Sequence, residues 1–145
     1  MSEAVSRASG RRRGERAVEL HVAARQENLA VLRTLVSAVG TAEDLDLDAV
    51  ADLRLAVDEA CTRLIRSASP DATLVVVVDP GDDGFVVEAS TECDTSDVLP
   101  RRSFSWHVLT SLASNVHTFH DGRAPSGAGH VVGISLTARR ATSTR

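Results

Sequence analysis

The stretch TLVVVV at residues 73–78, followed by the turn DPGDDG and by FVVEAS, constrains the fold of this chain more than any other feature. Runs of β-branched residues on either side of a Gly/Asp/Pro turn read as a strand hairpin, and a solid apolar run requires cover on its core face. Upstream, AVELHVA places Val18, Leu20 and Val22 at alternate positions, the period of a strand with one buried face. Downstream, VVGISLTA closes the chain as another strand. An antiparallel sheet is therefore the scaffold.

The cover comes from helical spacing. NLAVLRTLVSAVG carries Leu29, Leu32, Val36 and Val39 on one stripe, with Arg33 outward and Gly40 placed to end the helix in a left-handed conformation. Residues 47–68 form a second helical run, with Leu53, Val57, Ala60 and Leu64 on one side. Asp46 and Asp48 suit its positive end, and Pro70 forbids continuation. SFSWHVLTSLASNV predicts a third helix through Trp106, Leu109, Leu112 and Val116, after the loop TECDTSDVLPRR. HTFHDGRAPSGAGH reads as a short strand end and a Gly/Pro-rich turn. The order β-α-α-β-β-loop-α-β predicts an α+β two-layer sandwich, a mainly antiparallel sheet covered on one face by helices.

With 145 residues, 43% of them hydrophobic, the chain suits one domain, expected over 17–140. Residues 1–16, polar and arginine-rich, read as a disordered arm, and 141–145 as a tail. Neither is a signal peptide or a membrane span, so a cytoplasmic protein is expected. A net charge of −4 gives no basic face for nucleic acid. The chain has arginine but no lysine, which removes any P-loop or Schiff-base lysine. Cys61 and Cys93 read as buried free thiols, with a Cys61–Cys93 redox bridge as the alternative. His117 and His120 form an H-x-x-H pair without the further ligands a zinc site needs, so no metal residues are assigned. Phe104 and Trp106 are expected in the core.

In the second helix, Glu59 precedes Arg63 by four residues, the favoured orientation for a surface ion pair contributing about 0.3–0.5 kcal/mol. The segment VDEACTRLI, residues 57–65, also resembles the E-A-x-T-N box of the anti-sigma factor serine kinases, the RsbW and SpoIIAB group within the gyrase–histidine kinase ATPase superfamily. Glu59, Ala60 and Thr62 match that box in register, and the resemblance runs from Val18 to Arg139. It implies the histidine kinase/gyrase-type ATPase fold, ATP and magnesium as cofactors, and Glu59 as catalytic base. It also implies a homodimer, a sigma factor as partner and an anti-anti-sigma protein of the STAS type as the releasing partner.

The same resemblance exposes losses. Arg63 stands where an asparagine holds magnesium, and a guanidinium has donors only and a permanent positive charge. At the adenine-reading aspartate, Ser90 falls in register, unless a shifted loop brings Asp94 or Asp97 there. Ser103 and Ser105 replace the spaced glycines that let backbone close over phosphates, while Gly127, Gly129 and Gly133 retain glycine near the last strand. The expected function is sequestration of a sigma-F-like factor, with Arg33 as the charged anchor on helix one. An active ATP-dependent serine/threonine kinase acting on the anti-anti-sigma partner is the alternative.

Overall fold

The β-branched run forms the expected hairpin, β2 (Thr73–Pro80) and β3 (Gly84–Cys93), in a computed structural model that describes residues 12–123 and 129–140. Around it lie β1 (Val18–Ala23), α1 (Leu29–Ala42), α2 (Leu47–Ser67), α3 (Phe104–Leu112), β4 (Asn115–Arg123) and β5 (His130–Arg139). The five strands form one antiparallel sheet in the order β1-β2-β3-β5-β4. Gly127 and the tail 141–145 lie outside the described residues, as do residues 1–11 of the expected arm. Residues 12–16 of that arm are tied to the domain: Arg13 pairs with Glu19 and Arg16 Nε donates to Glu43 at 2.9 Å.

Side-chain alternation decides which sheet face meets the helices. Leu74, Val76 and Val78 of β2, Phe85, Val87 and Ala89 of β3, and Val132, Ile134 and Leu136 of β5 all point one way into the core. Leu32 and Val36 of α1 and Leu53, Val57, Ala60 and Leu64 of α2 meet them there. Burying each of the leucine, isoleucine, valine and phenylalanine side chains among them stabilises the fold by about 1.5–3 kcal/mol. The side chain of Asp46 accepts from Ala49 N at 2.8 Å and caps α2, as its position predicts.

Three sequence readings change. Gly40 lies inside α1, which continues to Ala42, and the left-handed residue beyond it is Asp44 (φ 59°). A Cβ on Gly40 would come within 2.9 Å of Val50 Cγ2, so this glycine permits close approach of α2 and does not terminate the helix. The third helix stops at Leu112, and Val116 packs from β4, because the segment read as a strand end and turn is a full edge strand pairing with β5. Finally, β3 extends through Cys93, placing Ser90 inside a strand.

Candidate functional site

The chemistry-bearing residues of the sequence gather where α2 meets the start of α3. Ser103 caps α3, its hydroxyl accepting from Trp106 N at 3.1 Å while donating to Pro100 O at 2.6 Å. That capped turn carries Ser105, nearly buried, against α2, where its hydroxyl donates to the Glu59 carboxylate. The predicted Glu59–Arg63 pair does not form. Arg63 is half-buried, and its Nε has no hydrogen-bond partner. Glu59 has exchanged a pair across one helical turn for a hydroxyl on a neighbouring helix, which long-range packing alone can supply.

The remaining predicted residues are not brought to that point. Ser90 pairs with Val75 and Gly133 and projects from the opposite face of the sheet, since its neighbours Ala89 and Thr91 are the buried ones. It lines a shallow cleft with Thr73, Glu92 and Val131. Ser90 therefore cannot share a ligand with Glu59. Asp94, exposed, accepts from Ser69 Oγ at 3.2 Å and ties the end of α2 to the end of β3. Asp97 sits in a local turn, its backbone N–H donating to Thr95 Oγ1 at 3.2 Å. Phe104, expected inside, is 81% exposed, whereas Trp106 packs on the core edge with Arg101 over its ring.

The described residues contain no cluster of three His, Cys, Asp or Glu that could hold a metal ion. His117 and His120, three apart on a strand, point to opposite faces.

A second feature lies between α1 and α2. Arg33, on the outer face of α1, donates to Asp58 of α2 through Nε and Nη2, both at 2.8 Å. Arg54, Ala51 and Leu55 complete a groove around this pair, and Leu55 is 59% exposed. Spacing could not reveal Asp58, because the pair joins two helices.

Both cysteines are buried free thiols. Burial first, then nearby carboxylates, pushes Cys61 up to about 12 and Cys93 up to about 11, from a usual 9.0. Unfolded thiols ionise above pH 9 while the folded ones stay protonated, so stability must fall as pH rises from about 9 to 11. Melting temperatures across that interval will decline, less steeply in Cys61→Ala; equal slopes would remove the thiol as the cause.

Residues 22–123 match the family model described as the histidine kinase-like ATPase domain, and the chain belongs to that family. It is 74% identical over 136 residues to the anti-sigma-F factor RsbW of Mycobacterium tuberculosis, in strain CDC 1551 / Oshkosh and equally in strain ATCC 25618 / H37Rv. The match covers 94% of this chain and 81% of the relative.

Proposed function

We propose that this chain is an anti-sigma factor that sequesters an alternative, sigma-F-like RNA polymerase sigma factor and is displaced by an anti-anti-sigma protein of the STAS type. It acts as a homodimer in the cytoplasm; no helix among the described residues is long and apolar enough to cross a membrane. The observation that carries the reading is 74% identity across nearly the whole chain to proteins named anti-sigma-F factor RsbW. The groove between α1 and α2 is the docking surface, because it combines an exposed leucine with a guanidinium that can fork onto a partner's carboxylate. Titration calorimetry with a purified sigma-F-type factor will show tight binding without nucleotide; no heat at micromolar concentrations would reject the assignment.

The kinase reading keeps one observation in its favour, the Glu59 carboxylate fixed beside the start of α3. Against it stand Arg63 and the far-side placement of Ser90. A nucleotide present at 100 times its Kd stabilises the native state by about 2.7 kcal/mol, several degrees in a chain of this size. Millimolar ATP will shift the melting temperature by less than ~1 °C, with or without magnesium, on the same scale. A larger, magnesium-dependent shift, with labelled phosphate transferred to the STAS partner and abolished in Glu59→Ala, would establish the kinase.

A further inference from the structure

One side of α2 is committed to the core and another carries apolar residues that the fold does not use. The stripe Leu53, Val57, Ala60 and Leu64 points inward, whereas Leu47 is 85% exposed and Leu55 59% exposed on the outer side. A lone exposed leucine is ordinary on a protein surface. These two are in register: Leu47, Ala51 and Leu55 fall at intervals of four and form one ridge, with the leucines about 12 Å apart along the axis and exposed Ala51 as a low point between them. Ala51, Arg54, Leu55 and Asp58 then fall at positions i, i+3, i+4 and i+7, and with Arg33 of α1 they line a groove. Four residues at that spacing make the hole into which a facing helix inserts one side-chain knob.

We propose that this outer face of α2 is a seam for one amphipathic helix of the captured sigma factor, an assignment that rests on the sequestration reading and adds to it the conformation and the direction of the bound segment. An apolar knob sits over Ala51, acidic residues of the helix lie along the flank toward α1, and basic residues lie along the flank toward α3. The occupant is a helix because the interior backbone groups of α2 are already paired within it. An extended segment would find no strand edge to join, while anchors at helical spacing match the groove.

Charge selects the occupant further. On the α1 flank Arg33 and Arg54 stand against one acid, Asp58, which Arg33 takes up. On the other flank are Asp48 and Asp52, both exposed. Asp52 lies seven residues before Glu59 and so shares the side of α2 that meets α3. Among the described residues no acid pairs with Arg54 and no base pairs with Asp48 or Asp52. The apolar ridge is therefore bordered by unpaired charge of opposite sign on its two sides, the arrangement that sets partner and orientation between paired helices. Turning a docked helix end for end would exchange its flanks and set acid against Asp48 and Asp52. Like charges placed together are costly, so a single direction is accepted.

Titration calorimetry of the full chain with a purified sigma-F-type factor tests the seam through two variants at exposed positions, whose melting temperatures should stay within about 2 °C of the unsubstituted chain. Ala51→Trp fills the hole and should weaken capture at least about tenfold. Arg54→Glu combined with Asp52→Arg exchanges the flank charges while the net charge stays at −4, and should also weaken capture at least about tenfold; attraction between whole-molecule charges would be unmoved by it. Hydrogen exchange of the sigma factor in its complex with the unsubstituted chain needs no variant: binding should protect a segment of helical apolar spacing with acids on one flank and bases on the other. Undiminished capture by either variant, or protection confined to segments without that spacing, would overturn the seam and leave sequestration standing. Absence of capture by the unsubstituted chain would reject sequestration itself, and the seam with it. If Ala51→Trp dissociated a dimer of this chain and left the affinity for sigma unchanged, the occupant would be a second copy and the proposal would fall.

Discussion

Arg33→Glu will weaken capture of the sigma factor by about 2 kcal/mol or more, roughly thirtyfold in Kd, while the melting temperature changes little. The two readouts separate because Arg33 has one role within the chain and, on the proposed docking, would have another in a complex. Within the chain it pairs with Asp58, and both side chains are more than a third exposed or close to it, at 43% and 34%. Such a pair contributes about 0–1 kcal/mol to stability. In a complex, desolvation by a partner would make the same guanidinium a hot spot, and the glutamate would add repulsion both toward Asp58 and toward acidic groups on the partner. Asp58→Asn distinguishes docking from internal support. It breaks the intramolecular pair but leaves the cation free, so capture should stay within about threefold of the unsubstituted chain, under 1 kcal/mol. If both variants lost affinity equally, Arg33 would be acting through the α1–α2 contact and not by touching sigma.

The sequence made the periodic parts of this fold readable and hid the parts fixed by distant contacts. The stripe Leu53, Val57, Ala60, Leu64 is buried as its spacing predicts, and the β2–β3 hairpin follows from β-branched runs around a Gly/Asp turn. β4 was obscured because NVHTFHDGR has few apolar residues: an edge strand needs cover on only part of its surface, so its alternation is weak. Gly40 looked like a helix end because termination and close packing both select glycine, and only Val50, from the next helix, tells them apart. Glu59 stood out in the sequence through its box, but its actual partner, Ser105, lies 46 residues away, beyond any periodicity argument. Ser90 was displaced for a different reason. Extending β3 to Cys93 fixes its parity, and in a strand parity decides the face.

Glycine near the last strand offers a case where two sites of similar appearance should respond very differently. Gly129→Ala will destabilise the chain by about 2–4 kcal/mol, combining left-handed backbone strain with a steric clash. Gly129 has φ 85°, a conformation that favours glycine, and a Cβ there would stand 2.6 Å from the carbonyl oxygen of Cys93. That oxygen belongs to the backbone at the end of β3, beside the bridge between Cys93 and Ala68 that anchors α2, so it cannot move alone. At Gly133 an added Cβ would clash more closely still, but the obstacle is the ring of Phe119, its partner on the edge strand β4. A half-buried ring can rotate toward solvent. Gly133→Ala should therefore cost only about 1 kcal/mol, and almost nothing in a Phe119→Ala background, where the coupled term disappears. Denaturant midpoints of Gly129→Ala, Gly133→Ala, Phe119→Ala and the Gly133→Ala, Phe119→Ala double variant test this ranking. If Gly133→Ala proved the more damaging, or if its cost persisted without Phe119, the flexible-ring explanation would be wrong and the β4–β5 pairing would be as rigid as the core strands.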